Sequence, residues 1–272
     1  MRRLLGAGLA ALAFAASAQQ SPDVPFVGTP PVVVDAMLDM ARVTAADVVL
    51  DLGSGDGRLV IAAAQRGARG IGVDLNAMLV SEARSRAEHA GVAGRAEFET
   101  GNLYLTDLKR ASVLTLYLYP RVNLELRPRI LAELRPGSRV VSHEFDMGAW
   151  TPDETRQLAV ADKPYGPPVS PVHLWIVPVH AAGRWRWGDI DLVLDQRFQR
   201  LTARGPMADG TRIEGLTLNG DEIAFTLVAG EQRARHAGRI NGDRISGTVT
   251  DRRGIVPWTA TRIERGTMDI EG

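Results

Sequence analysis

The amino-acid sequence predicts an α/β protein with a parallel sheet covered by helices, followed by a small antiparallel all-β domain. Two observations carry this prediction. Between residues 31 and 145, short apolar runs alternate with helical patterns, which is typical of parallel strands joined by crossover helices. After residue 183 the pattern changes to short alternating runs, separated by Asn-Gly and Asp-Gly dipeptides that favour two-residue hairpin turns.

The α/β part has a signal for each element. Pro31 suits the first turn of a helix, which is expected to run to about Arg42 with Val34, Met37 and Leu38 on one face. The strands are expected at Val48–Leu52, Gly70–Asp74, Arg95–Thr100, Ser112–Tyr119 and Arg139–Phe145, and the helices between them at Arg58–Arg66, Ala77–Ala90 and Val122–Leu134.

Prolines and turn dipeptides refine this pattern. Pro128 is expected to kink the last of these helices. The segment Val172–Val179 predicts a late edge strand, because Pro178 cannot donate a hydrogen bond to a ladder. In the β domain, hairpin turns are expected at Asp209-Gly210, Asn219-Gly220 and Asn241-Gly242, which indicates a barrel or a sandwich.

The overall composition excludes several classes of function. The 272 residues contain 32 Lys+Arg and 32 Asp+Glu, so no net field favours nucleic acid or an anionic membrane. Cysteine is absent, which excludes disulfides, thiol catalysis and cysteine-bound metal. The five histidines show no ligand spacing, and we therefore expect no metal site.

The N-terminus resembles a secretory signal peptide. Arg2 and Arg3 precede an apolar run from Leu4 to Ala16, and Ala16-Ser17-Ala18 forms a small-residue cleavage site. We expect a signal peptide at residues 1–18, an α/β domain at 19–183 and a β domain at 184–272. Cleavage implies export to the periplasm. The alternatives are a cytoplasmic protein with an apolar N-terminal helix, or a chain tethered to the inner membrane through its N-terminus.

The stretch "DLGSGDGR" after the first strand indicates a nucleotide site. A P-loop is excluded because no lysine follows the glycines. The spacing of Gly53, Gly55 and Gly57 does not match the dinucleotide motif G-x-G-x-x-G. Moreover, Asp51 and Asp56 flank this loop and would repel a pyrophosphate. The loop therefore favours a ligand that has no phosphate and carries a positive charge.

S-adenosyl-L-methionine meets both conditions, because it has a sulfonium and an ammonium group. We expect Asp51 and Asp56 to face its cationic part, directly or through water. Asp74 ends the second strand, where a carboxylate can accept hydrogen bonds from both ribose hydroxyls. The next strand is followed by Asn102, whose amide oxygen can accept from the adenine amino group. The adenine ring is expected to lie between Leu75 and Leu103.

These motifs resemble those of the class I, seven-stranded, S-adenosylmethionine-dependent methyltransferases. "VPFVGTPP", "DLGSGDGRLVIAA", "YLYP" and "LRPGSRVVSHEF" are similar to the branch that contains the ATP synthase c-subunit lysine methyltransferase and its bacterial relatives. The resemblance covers about Val24 to Val179 and implies a doubly wound, Rossmann-like sheet. It also implies that Phe26–Thr29 folds over the methionine end of the cofactor, with Thr29 holding the carboxylate.

The sequence departs from the family at two positions. Asn102 replaces the aspartate that is usual in the branch. The Asn/Asp-Pro-Pro-aromatic motif of many amino methyltransferases is absent, and Tyr119 and Pro120 stand at the active edge instead. We expect Tyr119 to contact substrate or cofactor and Tyr117 to lie in the core, while His143 and Glu144 are candidates for the entrance.

By this resemblance, the chain transfers a methyl group in line from the sulfonium to a lysine of a protein substrate. Such transfer needs alignment of the reacting atoms and exclusion of water, but no acid for the neutral leaving group. One alternative is a methyltransferase for a small molecule. Another is an exported protein that binds S-adenosylmethionine or a nucleoside without catalysis, because the cofactor is made in the cytoplasm.

Overall fold

The computed structural model describes residues 27–161, 163, 166–205 and 210–271, and the expected signal peptide lies outside these ranges. The chain first forms an α/β unit. Its elements in order are α1 (Pro31–Met40), β1 (Val48–Leu52), α2 (Arg58–Gln65), β2 (Arg69–Asp74), α3 (Ala77–His89), β3 (Ala96–Thr100), β4 (Val113–Leu116), α4 (Pro120–Glu133), β5 (Arg139–His143), β6 (Glu154–Ala159) and β7 (Val169–Ile176).

The seven strands form one sheet in the order β3-β2-β1-β4-β5-β7-β6. The strands β1 to β5 are parallel, whereas β7 is antiparallel to both β5 and β6. The strand order reverses between β1 and β4, and open α/β sheets bind ligands beyond the carboxyl ends of the strands at such a point. The predicted doubly wound fold is therefore confirmed, with a mixed rather than a wholly parallel sheet.

Helices cover both faces of this sheet. On one face, Met37 of α1 and Leu59 of α2 pack in the same buried cluster as Val49 of β1. On the other face, Leu126 of α4 packs in the same buried cluster as Leu50 of β1. Since β1 is buried on both sides, its sequence is an almost continuous apolar run.

The final strands correct one prediction. An edge strand over Val172–Val179 is wrong, because β7 lies between β5 and β6. Pro178 lies beyond the end of β7 and removes no ladder hydrogen bond there. The true edge is β6, whose sequence ETRQLA is mostly exposed. An exposed edge strand lacks the apolar run that marks a buried strand in a sequence.

A second sheet follows and begins at Gly183, one residue before the expected boundary. Its strands are β8 (Gly183–Trp187), β9 (Ile190–Arg197), β10 (Arg200–Arg204), β11 (Thr211–Asn219), β12 (Glu222–Ala229), β13 (Gln232–Asn241), β14 (Arg244–Asp251), β15 (Gly254–Arg265) and β16 (Met268–Asp269).

These nine strands run in the order β10-β9-β8-β15-β14-β13-β12-β11, with β16 beside β9. The end strands β10 and β11 approach each other, so the sheet is nearly a closed barrel. Asn219-Gly220 and Asn241-Gly242 form hairpin turns, with glycine φ angles of 60° and 57°. The predicted antiparallel β domain is confirmed, while Asp209 of the third expected turn lies outside the described residues. None of the helices in the described ranges is long and apolar enough to span a membrane.

Candidate functional site

A cleft lies beyond the carboxyl ends of β1, β2 and β4, at the point where the strand order reverses. Its volume is about 720 Å³, including the part open to solvent. It is lined by Val27, Gly28, Thr29, Asp51, Gly53, Ser54, Asp56, Arg58, Leu59, Asp74, Asn76, Leu79, Tyr117 and Leu118. The cleft thus brings together Thr29 and most of the acidic residues that the sequence predicts for the site.

The glycine loop after β1 forms the floor of this cleft. Gly53, Gly55 and Gly57 have φ angles of 76°, 53° and 78°, a left-handed conformation that glycine adopts at little cost. At Gly57 an added Cβ would come within 2.6 Å of the Phe98 ring, so a side chain is excluded there by packing as well. Only Gly53 of the three lines the cleft; Gly55 and Gly57 shape the loop from behind.

Asp51 is the buried carboxylate of the site. Its Oδ1 accepts a 2.7 Å hydrogen bond from the Thr115 hydroxyl, and no cationic side chain among the described residues pairs with it. Burial raises the pKa of Asp51 to about 7; the Thr115 hydrogen bond partly offsets this effect, and the charges of Asp74 and Asp56 add to it. A positively charged ligand would supply the compensation that the protein itself does not provide.

Asp74 is fixed by backbone donors on both carboxylate oxygens. Gly55 N donates to Oδ2 and Asn76 N donates to Oδ1, each at 2.8 Å. A carboxylate oxygen has more than one lone pair, so both oxygens can accept a further hydrogen bond from a diol. The side chain of Asn76 instead caps α3, because its Oδ1 accepts from Met78 N at 3.0 Å.

Asp56 has a different environment from the one predicted. Arg58 donates to both of its oxygens, through Nε at 2.9 Å and Nη2 at 2.6 Å, and Arg86 also pairs with Oδ2. Burial alone would raise the pKa of Asp56, but these two guanidinium groups outweigh it and hold the pKa below its ordinary value. The geometry therefore favours an anchoring role for Asp56 rather than contact with the cationic part of a ligand.

Arg58 links this carboxylate to the segment that covers the cleft. Its Nη1 donates to the carbonyl oxygen of Thr29 at 2.8 Å, and a Cβ at Gly28 would lie 2.4 Å from its guanidinium carbon. We call the contacts between Asp56, Arg58 and Thr29 the Arg58 bridge. Arg58 was not among the predicted site residues, although it ends the quoted motif "DLGSGDGR".

The residues predicted for the adenine end do not line the cleft. Asn102 uses its Oδ1 to accept from Tyr104 N at 2.8 Å and so begins the 3-10 turn Leu103–Leu105. Leu103 is 9% exposed and packs in the core cluster of the sheet. Leu75 is only partly exposed and also lies outside the lining. The roles of Asn102, Leu75 and Leu103 toward adenine remain predictions without support from this geometry.

Of the two tyrosines after β4, Tyr117 rather than Tyr119 lines the cleft. The strand ends at Leu116, so Tyr117 and Tyr119 lie in the loop beyond it. Tyr117, expected in the core, lines the cleft, whereas Tyr119 is 44% exposed and begins α4. Tyr119 stands edge-on to Phe145, with ring centroids 6.1 Å apart. Its contact with substrate remains a prediction for the rim of the cleft.

His143 connects the rim to the cleft. Its ring centroid lies 4.0 Å from that of Tyr117, and its Nδ1 lies 3.5 Å from the Thr29 hydroxyl. Because the side chain is buried, the pKa of His143 falls to about 4, and the imidazole is neutral at physiological pH. The neighbouring Glu144 forms an ion pair with Lys163, with 2.6 Å between Oε1 and Nζ.

The cleft fits S-adenosylmethionine in its chemistry. It offers an uncompensated buried carboxylate, Asp51, for positive charge and a fixed carboxylate, Asp74, for a ribose diol. Arg58 and the hydroxyl of Thr29 stand at the side where a carboxylate would find donors. No group of three or more His, Asp or Glu residues within the described ranges is placed to hold a metal ion.

Comparisons with known proteins agree with this site. The family model described as the ANTKMT methyltransferase domain matches residues 51–154. A protein-lysine N-methyltransferase of Saccharolobus islandicus is 42% identical over 135 residues, which cover 49% of this chain and 84% of the relative. The mouse lysine N-methyltransferase of the ATP synthase c-subunit is 36% identical over 132 residues, which cover 48% of this chain and 53% of the relative. The chain therefore spans about half the length of that mouse protein.

Among solved structures, an RNA methyltransferase of Salinibacter ruber in complex with S-adenosyl-L-homocysteine is 47% identical. The match covers 56% of this chain and 94% of the Salinibacter ruber chain, with a TM-score of 0.51. The strand order and the side chains of the cleft point to the same class of enzyme as these relatives. The chain belongs to the class I S-adenosylmethionine-dependent methyltransferases, in the family that includes the archaeal protein-lysine N-methyltransferase.

Proposed function

We propose that this protein transfers methyl groups from S-adenosylmethionine to a lysine side chain of a protein substrate. The observation that carries the proposal is the 42% identity to the archaeal protein-lysine N-methyltransferase over most of that protein's length. The aromatic exit of the cleft also supports it. Tyr117 lines the cleft, and the Phe145 ring lies 6.3 Å from Tyr117 and 6.1 Å from Tyr119 between centroids, so aromatic faces are available to the cationic tip of a lysine.

The side chains of the cleft have distinct parts in this reaction. S-adenosylmethionine supplies an electrophilic methyl group on a positively charged sulfur. Asp51 would compensate the cofactor's positive charge, Asp74 would accept hydrogen bonds from its ribose diol, and the Arg58 bridge fixes Thr29 in the lining of the cleft. A lysine ammonium that enters this desolvated region beside a sulfonium loses its proton more readily, since both effects disfavour the charged form. The chain therefore needs no strong general base.

RNA is the competing acceptor, because the related Salinibacter ruber protein is described as an RNA methyltransferase. Proteins that bind RNA or DNA backbones neutralise phosphates with clustered Lys and Arg. This chain has equal numbers of acidic and basic residues. Several of its surface arginines pair with carboxylates, as Arg204 does with Asp195 and Arg186 with Asp191. The charge distribution therefore favours a protein substrate.

The test combines cofactor binding with the fate of a labelled methyl group. Calorimetry of the full chain with S-adenosylmethionine and S-adenosylhomocysteine should show binding, and Asp74→Ala should abolish it. After incubation with tritiated cofactor and a protein extract, protease but not ribonuclease should release the label, and hydrolysis should yield methylated lysine. Label in RNA or in small molecules would overturn the lysine assignment. Binding without any transfer would favour a non-catalytic protein.

We also propose export of the mature chain, on the residue pattern of the segment 1–18 alone. The expected domain limits 19–183 and 184–272 belong to the same proposal. N-terminal sequencing of the native protein should begin at Gln19, and the protein should appear in the periplasmic fraction. A native chain that retains Met1 would instead favour a cytoplasmic or membrane-tethered protein.

A further inference from the structure

An ion pair of Glu144 with Lys163 lies beside the cofactor cleft. The Glu144 carboxylate and the Lys163 ammonium are 2.6 Å apart, and their side chains are only 17% and 10% exposed. The ammonium also donates to the carbonyl oxygen of Val169 at 2.8 Å. Lysine is rare in this chain and occurs only at Lys109 and Lys163, whereas arginine supplies nearly all other positive charge. One of two lysines is thus placed next to the site.

The pair is separated from the cleft by one side chain. His143 Nε2 lies 3.5 Å from Glu144 Oε1, and the His143 ring centroid lies 4.0 Å from that of Tyr117, which lines the cleft. His143 also approaches the hydroxyl of Thr29. Because His143 is neutral, it contributes no charge that would compete for Glu144. The Glu144 carboxylate is therefore one side chain away from Thr29 and Tyr117, which line the cleft.

The backbone fixes Glu144 in an unusual conformation. Its φ angle is 69°, in the left-handed region that a non-glycine residue adopts only at a cost in free energy. The Glu144 N–H donates to the carbonyl oxygen of Pro171 at 2.8 Å, which holds this conformation against β7. Burial alone would raise the pKa of Glu144, but the adjacent Lys163 ammonium outweighs it and holds the pKa below its ordinary value.

Resting on the proposed lysine methylation, we propose that Glu144 captures the ammonium group of the acceptor lysine and that Lys163 occupies this place in the free protein. Lys163 and an acceptor lysine both carry a compact ammonium on a flexible stem, so either can pair with Glu144 in the same way. The planar guanidinium of an arginine differs in shape and in the arrangement of its donors. The rings of Tyr117 and Phe145, with centroids 6.3 Å apart, offer cation–π contacts beside the same carboxylate.

Capture and chemistry are then separate steps. Glu144 holds the acceptor as a protonated amine, so it attracts the lysine without activating it. The lysine would release its proton to solvent water on leaving Glu144 for the cleft, where desolvation and a bound sulfonium would disfavour the ammonium form. Glu144→Gln should therefore raise the KM for the acceptor protein and leave kcat within about threefold, because it removes binding rather than transition-state stabilisation.

A binding experiment tests the proposal without knowledge of the natural acceptor. The probe is Nα-acetyl-L-lysine methylamide, titrated by NMR onto the full chain saturated with S-adenosylhomocysteine. Lys163→Met removes the internal competitor, so we expect it to bind the probe about tenfold more tightly than wild type. Adding Glu144→Gln to Lys163→Met should abolish this gain. Lys109→Met is the matched control, since Lys109 is exposed and remote in sequence, and it should behave as wild type.

Equal affinity in wild type and Lys163→Met would overturn the proposal, and so would a gain that persists in the double variant. Melting temperature and S-adenosylhomocysteine affinity check that each variant is folded. If Lys163→Met lowers the melting temperature, Lys163→Gln replaces it. Failure of the proposed function has a different signature: no label enters lysine, while probe binding still depends on Glu144 and Lys163.

Discussion

Phe198 of the second sheet stacks on Trp150 of the first unit, with ring centroids 6.0 Å apart and planes 9° from parallel. Phe198 is 2% exposed and follows β9 with a left-handed φ of 50°. It belongs to the same buried cluster as Trp150 and Trp175, and the Arg127 guanidinium lies 5.3 Å from its ring centroid. The β domain therefore contributes Phe198 to the core of the methyltransferase unit, and Ile270 packs against the same cluster.

Phe198→Ala should destabilise the whole protein. Truncation of a buried aromatic residue costs about 3–5 kcal/mol, because it removes apolar contacts and leaves a cavity. Here the cavity would open beside Trp150 and Trp175, so chemical denaturation monitored by tryptophan fluorescence should show the loss. Phe198→Leu fills much of the cavity and should therefore recover most of the lost stability. A loss below about 1 kcal/mol for Phe198→Ala would show that the ring is not part of a shared core.

Two glycine turns provide a matched pair for the contact between the units. Gly220 and Gly242 have nearly the same φ, 60° and 57°. A Cβ at Gly220 would lie 2.9 Å from the Cα of Gly137 in the first unit, whereas nothing lies within 4 Å of one at Gly242. Both alanine variants carry a similar backbone cost of about 1 kcal/mol. Only Gly220→Ala adds a clash with backbone atoms.

We therefore expect Gly220→Ala to reduce the free energy of unfolding by at least about 1 kcal/mol more than Gly242→Ala. Urea denaturation of the two variants and the wild type measures the difference directly. Equal losses would mean that the Asn219-Gly220 turn does not press on Gly137 in solution.

The cofactor loop is the part of the site that the sequence predicts best. Asp51 is the penultimate residue of β1 and Asp74 is the last residue of β2, and parallel strands place their carboxyl ends at one edge of the sheet. The role of Asp56 is harder to predict from the sequence, because its partner Arg86 lies on α3, thirty residues later in the chain. No local pattern connects the two positions. For the same reason the contact between Glu144 and Lys163 becomes visible only in the folded chain.

The length of β4 explains why Tyr117 lies in the cleft rather than in the core. An expected strand over Ser112–Tyr119 places Tyr117 and Tyr119 on one face. The observed strand stops at Leu116, and the loop turns Tyr117 into the cleft while Tyr119 begins α4. Strand ends are set by tertiary contacts rather than by the apolar pattern. A short error in one strand boundary is therefore enough to place Tyr117 in the core instead of in the cleft.

Binding of S-adenosylmethionine should release protons near neutral pH. Asp51 has a pKa of about 7 in the free protein, so it is partly protonated there. A cationic ligand beside it favours the ionised form and lowers this pKa. Below pH 7, binding must therefore expel a proton, and affinity should weaken toward tenfold per pH unit as the pH falls.

Calorimetry at pH 6.5 in buffers with different ionisation enthalpies measures this release. Asp51→Asn should release no proton and should lose the pH dependence. S-adenosylhomocysteine lacks the sulfonium charge and should release fewer protons than S-adenosylmethionine. The same proton count for wild type and Asp51→Asn would exclude Asp51 as the coupled group.

His143 should make the protein sensitive to acid. Its pKa is about 4 in the folded protein, whereas a solvent-exposed histidine of the unfolded chain has the ordinary pKa of 6.5. As the pH falls below 6.5 the unfolded chain takes up a proton that the folded protein refuses, so stability decreases until about pH 4. The full effect is on the order of 3 kcal/mol. Urea midpoints at pH 7, 5.5 and 4.5 measure it.

His143→Gln should lose this part of the pH dependence, whereas the exposed His89→Gln should retain it. The comparison is made as the difference in unfolding free energy between pH 7 and pH 4.5, since either substitution also shifts absolute stability. An unchanged difference in His143→Gln would assign the acid sensitivity to other groups, such as the carboxylates or His173, His180 and His236, whose pKa burial also lowers.

Arg58→Lys tests whether the Arg58 bridge holds the cofactor-binding segment in place. The guanidinium spans three acceptors, both oxygens of Asp56 and the carbonyl of Thr29, and a lysine ammonium cannot reach all of them in the same geometry. We expect S-adenosylmethionine affinity to fall roughly tenfold, since one or two charge-assisted hydrogen bonds at about 1–2 kcal/mol would be lost. Arg66→Lys is the matched control, because Arg66 follows the same helix but pairs with exposed carboxylates on α1. Calorimetry should show unchanged S-adenosylmethionine affinity for Arg66→Lys. Equal affinities in the two variants would mean that the Arg58 bridge does not contribute to cofactor binding.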